Sequence, residues 1–237
     1  MEEMRQTLDA LLPELGLALP EGARDTLCAF GEAVIAQNEV MNLTAITDPA
    51  QVAKLHLLDS LTVLTAVDLK GKRLIDVGCG AGFPGVPLDI ACPEAEVTLL
   101  DSLGKRVDFL KEVQTDLGLK NVTCVHARAE EFAAQHREQF DLAASRAVAQ
   151  LNVLCELTLP LVKVGGQFAA MKSVSTDEEI RQAHSAIAQL GGQLSGVTDY
   201  TVPETDVVHR IVSIEKTQHT PKQFPRAFAR IKKAPLV

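Results

Sequence analysis

Residues 76–87 read D-V-G-C-G-A-G-F-P-G-V-P and directly follow two apolar residues. An apolar run that ends in closely spaced glycines is typical of a strand, a tight turn and a following helix. Gly78 and Gly80 match the first two glycines of the dinucleotide pattern G-x-G-x-x-G, but Phe83 occupies the position of the third. The stretch therefore predicts a nucleotide-type ligand site after a strand, with a spacing that is unfavourable for a nicotinamide dinucleotide.

Two prolines in the same stretch restrict the ligand further. Pro84 and Pro87 have no N–H group, and we expect both in the first turn of the helix that follows the loop. Phosphate groups bind to the free N–H groups of such a first turn. The loop is therefore predicted to be a poor phosphate site, which favours a nucleoside ligand without phosphate, such as S-adenosylmethionine.

The segments around the loop indicate an α/β protein. From Lys72 onward, short apolar runs alternate with helical patterns, which predicts a parallel sheet with helices on both faces. The predicted strands are 73–77, 96–100, 122–126, 140–145 and 166–172, and the helices that follow include 104–118, 148–161 and 176–190, with only a short turn after 122–126. Two further strands, 193–202 and 207–216, are joined by a short turn-rich link and predict an antiparallel hairpin. This order predicts the class I S-adenosylmethionine-dependent methyltransferase fold, a doubly wound, mostly parallel seven-stranded sheet.

The chain divides into three predicted parts. Residues 1–66 read as a small helical region, with helical patterns over 2–18, where Pro13 interrupts the run, and over 22–41. A third helix is expected to begin at Asp48-Pro49, because an acidic N-cap followed by proline is a typical helix start. Residues 67–216 form the predicted methyltransferase domain, and residues 217–237 form a basic tail.

Composition and charge narrow the cellular setting. The chain has 237 residues, of which 46% are hydrophobic, and no apolar run approaches the roughly 18 residues of a membrane span. Its acidic first residues do not resemble a signal peptide, and the five cysteines form no C-x-x-C pair, so we expect a cytoplasmic protein with free thiols and no zinc site.

The net charge is −8, but residues 216–237 carry six basic and no acidic residues. Such an asymmetry indicates either a polyanion-binding tail or a solvated terminus.

Two side chains in or near the loop have alternative interpretations. Cys79 lies inside the glycine loop and is considered as a catalytic thiol, although nothing near it in sequence lowers its pKa. Asp101 ends the second predicted strand about 20 residues after the loop, where an acid accepts hydrogen bonds from ribose hydroxyls. The alternative for Asp101 is that it caps the helix predicted from Gly104.

Six short motifs in order carry a family resemblance. Besides residues 76–87, they are N-L-T-A-I (42–46), H-L-L-D-S-L (56–61), L-L-D-S-L-G-K-R (99–106), H-A-R-A-E-E-F (126–132) and F-D-L-A-A-S-R-A-V-A (140–149). The chain resembles the RsmG family, also called glucose-inhibited division protein B, from about Asn42 to Lys172 and more loosely into the tail. These are bacterial enzymes that methylate N7 of a guanine in 16S rRNA, so the resemblance implies S-adenosylmethionine as cofactor and 16S rRNA in the small ribosomal subunit as partner. A monomer is expected.

The resemblance also implies roles for particular residues. The expected cofactor-binding residues are Gly78, Phe83, Asp101, Ala129, Glu130 and Arg146. Arg146 is also the expected base-positioning residue, and its alternative is an ion pair with a neighbour such as Asp141. The expected rRNA contacts are Lys172, Lys222, Arg226, Arg230, Lys232 and Lys233, of which Lys172 has a solvated side chain as its alternative. His56 is interpreted as a packed helix residue rather than a catalytic one, and Asn42 as a chain turn.

The expected chemistry needs little from the protein besides positioning. Guanine N7 has a free lone pair, so no general base has to remove a proton before the methyl group is transferred. This agrees with a sequence that contains no convincing Ser-His-Asp or Cys-His arrangement. Three other functions stay open at this point: methylation of a protein or small molecule, a nicotinamide-dependent oxidoreductase, and a non-catalytic ribosome-binding module.

Overall fold

The computed structural model describes residues 2–146 and 148–237. Its strands are β1 (Arg73–Val77), β2 (Glu96–Asp101), β3 (Val122–His126), β4 (Phe140–Arg146), β5 (Val162–Ser173), β6 (Gly192–Thr201) and β7 (Val208–Lys216). Its α-helices are α1 (Glu2–Leu11), α2 (Ala23–Met41), α3 (Pro49–Val52), α4 (Asp59–Leu61), α5 (Gly85–Ala91), α6 (Gly104–Asp116), α7 (Ala129–Gln135), α8 (Leu151–Thr158), α9 (Asp177–Gln189) and α10 (Phe228–Lys233). A π-helical segment (Ala53–Leu58) joins α3 to α4, so that residues 49–61 form one continuous helical rod.

The strands form a single seven-stranded sheet in the order β3-β2-β1-β4-β5-β7-β6. Strands β1 to β5 are parallel, whereas β7 runs antiparallel to both β5 and β6. The predicted mostly parallel sheet with an antiparallel C-terminal hairpin is confirmed. The strand order reverses between β1 and β4, and ligands in such sheets bind beyond the carboxyl ends of the strands at that point.

Several local features differ from the sequence prediction. Helix α7 occupies residues where only a turn was expected after β3, because A-E-E-F-A-A-Q consists largely of good helix formers. Strand β5 begins at Val162, four residues earlier than predicted. The first helix ends at Leu11, and Pro13 lies in a short 3-10 helix that follows. Asp48 caps α3 as predicted, since its Oδ1 accepts a hydrogen bond of 2.9 Å from the N–H of Gln51.

The N-terminal helices cover one face of the sheet. Leu8 and Leu57 are fully buried in the same apolar cluster as Leu74 of β1 and Leu99 of β2. The opposite face is covered by α8 and α9, whose buried residues pack with those of β5 and β7. No described helix is long and apolar enough to cross a membrane.

The C-terminal segment folds back onto the domain, so its charges are not all exposed. Lys216 is fully buried and its Nζ donates to the carbonyl oxygens of Leu159 at 2.6 Å and Val162 at 2.9 Å. Arg226 forms a bidentate ion pair with the fully buried Glu156, with 2.8 Å from Nε to Oε1 and 2.6 Å from Nη2 to Oε2. Arg226 therefore anchors the tail instead of lying free on the surface. The exposed tail cations are Lys222, Arg230, Lys232 and Lys233.

We predict that Arg226→Ala lowers the free energy of unfolding by about 3–5 kcal/mol, because it leaves the Glu156 carboxylate buried without its partner. Denaturant unfolding measures the change. Lys222→Ala, which removes an exposed tail cation, serves as the matched control and is expected to change stability by less than about 0.5 kcal/mol. Equal stability of the two variants would show that the ion pair does not hold the tail.

Candidate active site

A cavity of about 470 Å³ lies beyond the carboxyl ends of β1, β2 and β4. The residues predicted to bind the cofactor all line it, namely Gly78, Phe83, Asp101, Ala129, Glu130 and Arg146. They come from four separate segments of the chain that meet where the strand order reverses. The sequence therefore located this cavity, although the role of each residue in binding stays a prediction.

The glycine loop forms the floor of the cavity and depends on its glycines. Gly78 has a φ of +74°, in the left-handed region that favours glycine. A Cβ atom at Gly78 would also lie 2.7 Å from Cγ2 of Val148, which lines the same cavity. A side chain at this position would therefore both strain the backbone and displace the loop that follows β4.

The amide groups near the start of α5 already have partners within the protein. The N–H of Gly85 donates to Oδ2 of the buried Asp76 at 2.8 Å, and the N–H of Phe83 donates to the Cys79 carbonyl at 3.1 Å. Pro84, which has no N–H, is the N-cap residue. These amide groups are therefore not available to a phosphate, which agrees with the poor phosphate site predicted from Pro84 and Pro87.

Asp101 connects the glycine loop to the segment that follows β2. Its Oδ2 accepts a hydrogen bond of 3.0 Å from the N–H of Gly80, and its Oδ1 accepts one of 2.8 Å from the N–H of Leu103. It does not cap α6, whose N-cap residue is Leu103, so the alternative interpretation of Asp101 is wrong. A carboxylate has about four lone-pair directions, and the remaining ones are available to ribose hydroxyls.

Arg146 lines this cavity, and contacts with Phe83 and Asp59 hold its guanidinium in place. Its guanidinium carbon is 4.9 Å from the centre of the Phe83 ring, a cation–π contact, and its Nη1 is 3.1 Å from Oδ2 of Asp59. Asp141, the ion-pair partner considered from sequence, binds Lys163 and the N–H of Arg73 instead. The alternative of an ion pair for Arg146 is therefore found, but with Asp59 as its partner; Asp141 was the wrong candidate, because it lies near the opposite end of β4.

Asp59 is the centre of a buried network that sequence reasoning did not identify. Besides Arg146, its carboxylate accepts hydrogen bonds from the Tyr200 hydroxyl at 2.8 Å and from Nδ1 of His209 at 2.7 Å. Burial alone would raise the pKa of Asp59, but the His209 hydrogen bond and the Arg146 charge together hold that pKa below its usual value. The hydrogen bond to Asp59 in turn raises the pKa of His209. The only signal in the sequence was the place of Asp59 within the motif at 56–61.

His56 is packed in the site and is not suited to proton transfer. Its ring centre lies 4.8 Å from that of Phe83, and its Nε2 is 2.7 Å from the Thr44 hydroxyl. Burial, followed by the nearby positive charge of Arg146, lowers the pKa of His56 to about 4, so the ring is neutral at pH 7. The interpretation of His56 as a packed residue agrees with this geometry. Its ring nevertheless lines the cavity.

Cys79 is not a nucleophile in this arrangement. The side chain is only 1% exposed, and burial raises the pKa of its thiol well above the usual value. A catalytic cysteine requires a lowered pKa, since the thiolate is the reactive form. Cys79 therefore contributes a small packed side chain to the glycine loop.

A second, more apolar cavity of about 710 Å³ adjoins the first. The two share His56, Arg146 and Val148 as a common wall. Lys172 lines the second cavity with its Nζ bonded to the carboxylate of Glu179 and to the Ala149 carbonyl. The side chain is only 8% exposed, so the alternative of a solvated lysine is wrong.

The tail also reaches the first cavity, which the sequence did not reveal. Phe228, at the start of α10, lines the cavity together with Arg128, whose guanidinium carbon is 5.6 Å from the centre of the phenyl ring. The exposed cations of α10 therefore lie close to the mouth of the site. Two other phenylalanines, Phe83 in the glycine loop and Phe224 in the tail, are buried.

Comparisons with known proteins agree with this geometry. A family model described as rRNA small subunit methyltransferase G matches residues 24–208. A protein of Alkaliphilus metalliredigens named ribosomal RNA small subunit methyltransferase G is 47% identical over 216 residues, which are 90% of each chain. A protein of the same name from Clostridium botulinum (strain ATCC 19397) is 40% identical over 237 residues, 99% of each chain.

Solved structures support the fold. The structure of M. jannaschii TYW2 in complex with AdoMet has a TM-score of 0.53 at 13% identity, over 66% of this chain and 74% of that one. A S-adenosylmethionine-dependent methyltransferase from Aquifex aeolicus has a TM-score of 0.51 at 20% identity, over 70% of this chain and 93% of that one. The chain belongs to the rRNA small subunit methyltransferase G family and is an S-adenosylmethionine-dependent methyltransferase.

Proposed function

We propose that this chain transfers a methyl group from S-adenosylmethionine to N7 of a guanine in 16S rRNA. The observation that carries the proposal is the pair of adjoining cavities with Arg146 in their common wall. One cavity is lined by the residues expected to bind the cofactor, and the other is large enough for a nucleotide base. Ligand sites in proteins commonly measure roughly 300–1,000 Å³, and both cavities lie in that range.

The residues of the first cavity fit the cofactor. Asp101, held by the N–H groups of Gly80 and Leu103, has lone pairs for the ribose hydroxyls. Ala129 and Glu130, at the start of α7, line the part of the cavity assigned to the adenine. When bound, S-adenosylmethionine supplies an electrophilic methyl group on a sulfonium. Gly78 and Phe83 are assigned to its methionine half.

The chain's own residues orient the base and do not exchange protons with it. Arg146, held by Asp59 and Phe83, is placed to donate a hydrogen bond to guanine O6 and to leave N7 free. His56, with its pKa lowered to about 4, is only a weak base, and the buried Cys79 thiol stays protonated, so neither group is suited to act as a catalytic base or nucleophile at pH 7. Orientation of this kind can contribute roughly 7–11 kcal/mol to lowering a reaction barrier.

The exposed cations of the tail are proposed to bind the rRNA backbone. Arg230, Lys232 and Lys233 lie on α10, which begins at the mouth of the cofactor cavity, and Lys222 lies nearby in sequence. Arg226 and Lys172 are held in ion pairs. Arg226 positions the tail, and Lys172 positions the floor of the second cavity.

We further propose that the enzyme acts as a monomer in the cytoplasm, on rRNA within the small ribosomal subunit.

The proposal is tested by mapping N7-methylguanine in 16S rRNA from cells with and without the gene. One N7-methylguanine is expected to disappear on deletion and to return with the wild-type gene, but not with a Gly78→Asp variant that blocks the cofactor cavity. If small subunits from the deletion strain accept no methyl group from labelled S-adenosylmethionine, or if label enters only protein, the rRNA function is refuted.

We predict that Asp101→Ala weakens S-adenosylmethionine binding about tenfold or more, because the ribose loses a charged acceptor and the glycine loop loses its tie to β2. Isothermal titration calorimetry measures the affinity. Asp108→Ala, which removes an exposed carboxylate from the outer face of α6, is the control and is expected to bind as the wild type does. Unchanged affinity in Asp101→Ala would show that the ribose assignment is mistaken.

We predict that replacing Arg230, Lys232 and Lys233 together with glutamine weakens rRNA binding and flattens its dependence on salt. Each lost phosphate contact should reduce the slope of log affinity against log salt by about 0.7–0.9. The matched control replaces Lys70, Lys111 and Arg181, three exposed cations far from α10 in sequence, with glutamine. If both triple variants change the slope equally, net charge rather than the tail governs binding.

A further inference from the structure

We infer that the second cavity receives the target guanine and that Glu179 reads its N1–H and N2–H₂ groups. The inference rests on the proposed function and names the residue that selects guanine over other bases. It follows from the place of the cavity, from the oxygen of Glu179 that has no hydrogen-bond partner among the described residues, and from the opposite charges of Glu179 and Arg146, which both line the cavity.

The shape of the cavity suits a flat base. Ile46, Leu55, Met171 and Val207 give it an apolar lining, and it opens toward the cofactor cavity along the wall formed by His56, Arg146 and Val148. Enzymes that modify a base buried in a nucleic-acid structure take it out of its stack into such a pocket. A base in this cavity lies beside Arg146, next to the site from which the methyl group comes.

Glu179 is held with one oxygen fixed and the other available. Its Oε1 accepts hydrogen bonds from Nζ of Lys172, at 2.5 Å, and from the N–H of Leu151 at the start of α8. Among the described residues, Oε2 has no hydrogen-bond partner, although the side chain is only 20% exposed and lines the cavity. A carboxylate fixed in this way loses little side-chain entropy when it binds a ligand.

Arg146 and Glu179 match the acceptor and the donors on the Watson–Crick edge of guanine. Arg146 donates hydrogen bonds only, and guanine O6 is an acceptor. The Oε2 of Glu179 accepts only, and guanine N1–H and N2–H₂ are donors. Adenine carries an amino group in place of O6, an acceptor at N1 and no group at C2, so each of these contacts would be lost or repulsive. The cavity therefore selects guanine through both charges, while N7 makes no contact with either.

Glu179 also supports the structure, so its test must separate recognition from packing. Glu179→Gln retains an oxygen for Lys172 and Leu151 and places an amide NH₂ at the position of Oε2, where it faces the guanine donors. The matched control is Glu178→Gln, because Glu178 is the adjacent residue of α9, is 63% exposed and pairs with Arg181 outside both cavities. Both variants are first compared with the wild type for thermal unfolding and S-adenosylmethionine affinity.

The experiment measures kcat/KM on small subunits reconstituted with rRNA that carries either guanosine or inosine at the methylated position. Inosine retains N7, O6 and N1–H but lacks the 2-amino group. We expect inosine to lower kcat/KM about ten- to hundredfold for the wild type and for Glu178→Gln, the value of a hydrogen bond to a charged group. For Glu179→Gln we expect a similar loss on guanosine and a guanosine-to-inosine ratio near one.

The outcomes separate the two proposals. If the wild type methylates guanosine and inosine equally, or if Glu179→Gln retains the wild-type ratio, Glu179 does not read the base and the inference fails. The first of these results does not depend on the folding of any variant. If the wild type methylates neither substrate, the proposed function itself fails.

Discussion

The buried carboxylate of Asp59 is the interaction on which the active site depends. It comes from the N-terminal helices and binds Arg146 of β4, Tyr200 of β6 and His209 of β7. Charges brought out of water are stable only when they are paired and hydrogen-bonded, so all four side chains must keep their places for the network to be satisfied. Through this network, the helical region and the C-terminal hairpin together determine where the guanidinium of Arg146 lies.

A second constraint is the position of the glycine loop, which lines the first cavity. Asp101 at the end of β2 binds the N–H of Gly80, and Asp76 in β1 binds the N–H of Gly85, so two carboxylates hold the glycine loop at both ends. Asp76 is fully buried, and this burial raises its pKa to about 7. The prolines of the loop fit this arrangement, because the amides near them are used inside the protein. The glycine loop is therefore a poor phosphate site, which agrees with a nucleoside ligand.

The basic residues of the C-terminal segment have two different roles, which the composition of the segment does not distinguish. Its basic residues read as a single polycationic tail, but Lys216 and Arg226 are ion-paired within the structure, with Glu138 and Glu156 respectively. Removing this segment would therefore uncover buried side chains as well as charge. The exposed cations are concentrated around α10, which the Arg226 anchor brings to the cavity where Phe228 lines the mouth. The ion pair of Arg226 thus positions the exposed cations of α10.

The sequence by itself determined the alternation of strands and helices, the glycine loop and six residues that line one cavity, because these depend on short-range patterns and on strand ends. It also determined the family through motifs in order. Only the tertiary structure decided the partner of Arg146 and which tail cations are exposed and which are ion-paired. Asp59 and His209 are 150 residues apart, and Asp59 and Arg146 are 87 residues apart. No periodicity encodes such contacts, since they arise only when the sheet brings distant segments to one edge.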